Sequence, residues 1–358
     1  MRKKNLVCAL LAGAMALSLT ACSGNSGAAS TTAAAKTEAK TEAAKAEEKT
    51  EAAKADAAAA ETDWPKSTVT VTLPYNAGGD TDTYCRLMCQ KLSDKFGQNF
   101  VVVNMTGGSG IVAAKSVMAM KPDGYNLLFN HTGASLVQEA TGVADFSYTD
   151  NFTNVATIAE DNTYVVVVKK GTEWDSTEKF VEYGKANPGK LRFSNVFGSA
   201  THHVGLQMEK SMGIDMNELD VGTGSAERLA AFMGDQVDVL AANYMNVRDY
   251  VEKGDFVILG VCAHDRIPGA EDFPTFEEQG YEVITRKNYE VKFPKGADPA
   301  IVAKLSAAIK EISEDPEFAE TLAKYYAAPY YRDAETMTQE DVAEVAELKE
   351  YFAGVELK

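Results

Sequence analysis

Thr68-Val-Thr-Val-Thr-Leu-Pro-Tyr-Asn-Ala-Gly-Gly-Asp-Thr-Asp82 is the stretch on which the fold turns. Thr68 to Leu73 alternate in the manner of a β-strand. Gly78 and Gly79 then permit a tight turn, and Tyr84, Met88, Leu92 and Phe96 recur at four-residue intervals along one face of a helix. The unit repeats at once. Phe100 to Val103 is a β-rich run, Thr106-Gly-Gly-Ser-Gly110 is a turn, and Ile111, Ala114, Val117 and Met118 mark a second helical face. Strand, glycine loop and helix, taken twice, predict a right-handed parallel α/β layer. Both loops then lie at the carboxyl ends of strands and at helix amino termini, where such sheets bind ligands.

The glycines have two readings. They make tight βα turns, or they let the backbone approach an anion that the N–H groups and positive dipole end of a helix hold. The theme returns downstream. Lys190 to Ser194 lead into Phe197-Gly-Ser-Ala-Thr-His-His203 ahead of an amphipathic helix, and Val221-Gly-Thr-Gly-Ser-Ala226 is a further loop before a helix. Tyr164 to Val168 read as a buried strand, Gly234 to Leu240 return as another, and Asp298-Pro299 and Asp315-Pro316 are helix starts. No Pro- or Ser-rich linker interrupts the globular part, so two lobes would have to be joined by strands crossing between them.

The chain has 358 residues, with 35 Lys and Arg against 52 Asp and Glu, a formal charge of −17. That balance argues against a nucleic-acid binder, which needs a basic surface. Residues 1–22 carry +3 and read as an export signal: Arg2, Lys3 and Lys4, an apolar run from Leu6 to Leu19, and Leu19-Thr-Ala-Cys22 at the end. The run is short for a membrane span. Leu-Thr-Ala-Cys followed by Ser-Gly resembles the bacterial lipobox, which makes Cys22 the lipid-modified first residue of the mature chain. Residues 23–63 carry −3 and are built almost wholly from Ala, Glu, Lys, Thr, Ser and Gly, so they cannot bury a core and read as a semi-rigid tether. The whole −17 therefore belongs to the part from Trp64 onward. Cys85 and Cys89, one helical turn apart, are poorly aimed for a disulfide and read, with Cys262, as core residues.

Enzyme motifs find little support. Gly108-Ser-Gly-Ile-Val-Ala113 fits a dinucleotide fingerprint, but the next strand ends Leu127-Leu-Phe-Asn-His131 with no acid for a ribose hydroxyl. There is no Gly-x-Ser-x-Gly elbow and no Gly-Lys-Ser/Thr. Asp80-Thr-Asp82 opens like a calcium loop, yet Lys91 stands where the closing Glu belongs. His202 and His203 project differently and are not a chelating pair. An exported nucleotide-binding oxidoreductase using the turn at Gly108 to Ala113 is the enzymatic alternative.

Seven motifs in order resemble the extracytoplasmic receptors of tripartite tricarboxylate transporters, the Bug or TctC-like family. They are Leu73 to Asp82 with Arg86, Val103 to Gly110, Lys121 to Leu128, Gly198 to His203, Gly234 to Val239, Phe273 to Gly280, and Phe293 to Pro299. The resemblance implies a two-lobed α/β fold of the type II periplasmic-binding-protein kind. Each lobe would be a mainly parallel sheet, with one lobe formed by residues 64–162 plus 286–358 and the other by 163–285. It implies no catalysis and no cofactor. The chain would be a monomeric, lipid-anchored receptor outside the cell membrane that captures a small carboxylate and delivers it to large and small integral-membrane transporter subunits, or presents it to a sensor kinase. Carried over, the ligand-binding residues are Tyr75, Asn76, Ala77, Gly79, Asp80, Thr81 and Asp82, then Gly107, Gly108 and Ser109. His131, Thr132 and Ser135 border the cleft, and the second lobe adds Ser199, Thr201, His203, Thr223, Gly224, Ser225 and Asn243. Asp82 is expected to orient its loop. Asp80 departs from the small residue usual in the family; a carboxylate there would repel an anion or accept an amine, which makes an amino acid the alternative ligand.

Overall fold

The computed structural model describes residues 62–222 and 224–354. The expected signal with Cys22, nearly all of the tether, and Thr223 lie outside the described residues. Among those described, eleven strands form two sheets, one of six strands and one of five, flanked by ten α-helices.

The opening stretch forms β1 (Val69–Leu73) and α1 (Asp80–Phe96), which buries Tyr84, Met88 and Leu92 and ends at Gly97 in the left-handed conformation. Two more units follow: β2 (Phe100–Asn104) with α2 (Ile111–Met118), and β3 (Asn126–His131) with α3 (Thr132–Thr141). Strands β2, β1 and β3 lie side by side and parallel. The second sheet contains an equivalent trio. β6 (Arg192–Asn195), β7 (Asn217–Asp220) and β8 (Val239–Asn243) run parallel and lead into α5 (Ala200–Met212), α6 (Ser225–Met233) and α7 (Tyr244–Lys253).

The expectation of mainly parallel sheets needs correction, because the remaining strands are antiparallel. In the first sheet β4 (Phe152–Glu160), β10 (Asn288–Pro294) and β11 (Ala328–Asp333) extend the trio in the order β11-β4-β10-β3-β1-β2. In the second, β5 (Tyr164–Lys169) pairs antiparallel with both β8 and β9 (Phe256–Val261), giving β7-β6-β8-β5-β9. A parallel neighbour needs a crossover over one face of the same sheet. These strands arise differently: the chain runs from β4 directly into β5, and returns from β9 to β10 through residues 262–287. The two passages touch, Asp161 N donating to Lys287 O at 3.0 Å.

Both sheets are covered. Val69, Val71, Leu73, Phe129 and Val291 pack with α1 and with Leu305 and Ile309 of α8 (Pro299–Ser313). Val166, Val168 and Phe193 pack with Phe180 of α4 (Thr177–Ala186) and with Val204 and Met208. Asp298 and Asp315 cap α8 and α9 (Pro316–Ala323), each accepting an N–H at 2.9 Å, as their Asp-Pro pairs predict. Cys85, Cys89 and Cys262 are buried thiols, and the Sγ atoms of Cys85 and Cys89 lie 4.0 Å apart. No helix among the described residues is long and apolar enough to cross a membrane.

A buried charge cluster ties α10 (Ala334–Tyr351) to the first sheet. Lys292 Nζ donates to Asp341 Oδ2 at 2.8 Å and Asn154 Oδ1 at 3.0 Å, and lies 3.2 Å from Glu290 Oε2. Burial, reinforced by the Asp341 carboxylate, pushes the Glu290 pKa well up. Lys292→Met strands Asp341 and should cost about 3–5 kcal/mol in urea unfolding, whereas Glu290→Gln should cost less than about 1.5 kcal/mol.

Candidate functional site

The six parallel βα junctions, three from each sheet, converge on one cavity of about 390 Å³. Its wall includes the residue that precedes each helix: Gly79 before α1, Gly110 before α2, His131 before α3, Ser199 before α5, Gly224 before α6 and Asn243 before α7. A helix end leaves its first N–H groups without intrahelical acceptors. Helices away from the cavity supply the acceptor from a side chain, at Ser176, Asp298, Asp315 and Asp333. At the cavity Ser199 caps α5 and Glu227 Oε2 accepts from Gly224 N at 3.0 Å at the head of α6, while Gly79, Gly110, His131 and Asn243 provide no side-chain cap. Four helix ends without a side-chain cap therefore bring their positive dipole poles to one chamber, a setting suited to a small anion.

The first two loops are held open by side chains outside the cavity. Asp82 Oδ2 accepts from Gly78 N at 3.0 Å and from Arg86 Nε at 2.9 Å, and Asn104 Nδ2 donates to Tyr75 O and Asp82 Oδ1, each at 2.9 Å. In the second loop Gly107, Gly108, Ser109 and Gly110 all have positive φ. A Cβ on Gly110 would lie 3.0 Å from Pro74 Cβ, so glycine is needed for the two loops to pack together. Gln138 Nε2 donates to Ser109 O at 2.7 Å and fixes this turn to α3.

One charge network joins elements of both sheets and both passages. Lys287, 9% exposed, pairs with Asp80 and donates to Asn243 Oδ1 at 3.2 Å. Tyr289 Oη donates to Asp80 Oδ2 at 2.8 Å, and Asn243 Nδ2 donates to Asp161 Oδ2. Burial alone would raise the Asp80 pKa, but the Lys287 charge and hydrogen bond outweigh it and hold the carboxyl below its usual range. Asp161 moves the other way, since burial dominates and Asp80 adds to it. The residue expected to repel an anion is thus already neutralised by a lysine that no motif announced.

Of the residues named from sequence, Tyr75, Asn76, Ala77, Gly79, Asp80, Thr81, Gly107, Ser109, His131, Ser199, Thr201, Gly224, Ser225 and Asn243 line this cavity. Five others do not. Asp82 orients its loop, and Gly108 shapes the turn. The Thr132 hydroxyl oxygen accepts from Asn288 N at 3.1 Å, and Ser135 Oγ donates to His131 O at 3.1 Å, so both are engaged in the scaffold. His203 lies two positions beyond Thr201, about 200° around α5. It lines a different cavity, of about 510 Å³, bordered by α3, α5 and α10, and contacts Gln207 Nε2 at 2.9 Å. Sequence reading missed Thr106, Tyr164, Arg228, Asn246 and Lys287 on the main wall. Arg228 had a signal, three residues past Ser225 in the first turn of a helix after a glycine loop; Lys287 had none.

Residues 84–351 match the family described as the tripartite tricarboxylate transporter family receptor, and the chain belongs to it. It is therefore a solute-binding receptor of the Bug and TctC type, extracytoplasmic by class and not an enzyme. A UPF0065 protein from the gbd 5′ region of Cupriavidus necator is 27% identical over 79% of this chain and 86% of its own. Protein BugT of Bordetella pertussis is 27% identical over 74% and 82%. Among solved structures, a Rhodopseudomonas palustris protein with adipate has a TM-score of 0.73 at 26% identity, covering 81% of this chain and 98% of that one. MatC from Rhodopseudomonas palustris with bound malate has a TM-score of 0.73 at 25% identity, covering 80% and 99%.

His131 lies buried beneath Tyr75, the rings stacked at 5.2 Å and 9°. Burial, then the Lys287 charge, lower its pKa to about 3. An unfolded chain protonates this ring near pH 6.5 and the folded one does not, so its contribution to stability falls as pH drops from about 6.5 toward 3. By pH 5 this amounts to about 2 kcal/mol. The stability of His131→Asn relative to the parent should accordingly rise by about that amount between pH 7.5 and pH 5 in paired urea titrations.

Proposed function

We propose that this protein captures a small organic acid anion in the cavity between the two sheets and passes it to a membrane permease of the tripartite tricarboxylate type. The observation that carries this reading is the contrast in capping: helices elsewhere complete their amino termini with side chains, and four of the six at the cavity do not. A carboxylate supplies the missing acceptors through lone pairs, in a chain whose net charge would otherwise repel it. The adipate and malate in the two Rhodopseudomonas structures agree with a ligand of this class.

Residues 64–162 plus 286–358 act as one lobe and 163–285 as the other, closing about the two passages next to Lys287. Of the twenty residues carried over from the family, we assign the fourteen on the wall of the cavity to direct contact. The pairing of Asp80 with Lys287 removes the ground for expecting an amine on the ligand. Ahead of the lobes, Cys22 carries a lipid and residues 23–63 space the receptor from the membrane surface, where it works as a monomer.

Thermal unfolding of the part from Trp64 onward should rise with succinate, malate, adipate or citrate, since a ligand at a hundred times its Kd stabilises by about 2.7 kcal/mol. A rise with a nucleotide or sugar and none with any carboxylate would overturn the reading. Separately, Cys22→Ser should move the exported protein from the membrane fraction to the soluble one; unchanged fractionation would remove the lipid anchor.

A further inference from the structure

We propose that the cavity beside His203 is the back of the hinge, widening as the main cavity closes, and that Glu344 in its wall makes ligand capture proton-dependent. This goes beyond capture itself and rests on the closure proposed above. One partition separates the two cavities, built from the passage through Lys287, the head of α3 and the head of α5. In each segment, residues close in sequence face opposite ways. Lys287 lines the main cavity and Arg286 the second, His131 the main and Gly133 the second, Thr201 the main and His203 the second. The three segments meet at Gly133, where a Cβ would lie 3.2 Å from Ala200 Cβ and 3.3 Å from Arg286 O.

The walls of the second cavity come from both halves. α3 follows β3 and α10 is tied to Lys292 of β10, both in the first sheet, whereas α5 packs on the second through Val204 and Met208. At the rim α5 meets α10, with Lys210 Nζ 4.4 Å from the centre of the Tyr351 ring and the His203 ring 5.2 Å from it. Two bodies that turn about a partition narrow the space on one side and widen it on the other. Narrowing the main cavity therefore spreads α5 from α10.

Glu344 lines this second cavity from α10. Arg286 and Glu282 face it from the passage, Lys210 and His203 from α5, and Gly133 and Val137, both uncharged, from α3. Burial lowers the His203 pKa to about 4, so that ring is neutral near pH 7. Burial likewise pushes the Glu344 pKa up to about 7, opposed by Arg286 and assisted by Asp341, Glu347 and Glu340 of its own helix. Spreading the cavity admits water and relieves the main cause of that shift. The carboxyl is then more acidic with the main cavity closed than with it open, so closure releases a proton and capture strengthens as pH rises through 7.

The test is calorimetric titration of the parent, Glu344→Gln and Arg286→Met with succinate, malate and adipate at pH 6.5, 7.5 and 8.5. A difference of about one pKa unit between the two arrangements strengthens parent binding by about fivefold from pH 6.5 to 8.5, with part of a proton released, as read in buffers of different ionisation heat. Glu344→Gln should change by less than about twofold over the same range and stay near the weak affinity that the parent shows at low pH. Arg286→Met, which removes the opposing charge, should keep the dependence and move its midpoint to higher pH. A flat parent, or a folded Glu344→Gln with the same pH dependence as the parent, would overturn the inference while leaving carboxylate capture in place. Binding of none of the three acids by the parent at any pH would overturn both.

Discussion

The arrangement depends on one constraint: helix amino termini that meet in an enclosed chamber must find acceptors for their N–H groups. This chain places six of them around one cavity and gives a side-chain acceptor to only two. The same chain caps the helices that end elsewhere with Ser176, Asp298, Asp315 and Asp333, so the capability is present and is left unused at four of the six. Binding potential is thus a property of the backbone, fixed by where the parallel strands end. This explains how a protein of charge −17 can present a site suited to an anion.

The antiparallel strands serve a different end. They carry the chain between the sheets, and the charge network lies where they pass. Lys287 at the entry to β10 faces Asp80 at the head of α1, and Asn243 at the head of α7 bridges Lys287 to Asp161 beyond β4. A lysine buried with one ionised acid and one acid pushed toward its neutral form holds these four elements in register. Removing it would leave carboxyls without compensation at the place where the two sheets meet.

The sequence made the βα units legible because each loop is short and bounded by strong signals. Thr68 to Leu73 alternate, glycines punctuate, and Tyr84, Met88 and Leu92 keep a helical period. Strand β7, Asn217-Glu-Leu-Asp220, is an edge strand of four mostly polar residues and has no readable pattern. The antiparallel halves were equally hidden, since pairing between β4, β10 and β11 joins residues more than a hundred positions apart and leaves no local trace. At the site, backbone-presenting loops were found through their glycines. Side chains reaching in from afar were not: Lys287 arrives at the end of residues 262–287, which carry no loop-and-helix motif. His203 lines the other cavity, since a loop motif says nothing about rotation once the helix has begun.

The most direct measurement is the crystal structure of the receptor saturated with malate or adipate. The account predicts one carboxylate of the ligand within about 3.2 Å of backbone N–H groups at the heads of α1 and α2, inside the chamber between the sheets. A ligand held only by side chains there, with those N–H groups turned to water, or one seated instead in the cavity beside His203, would contradict it.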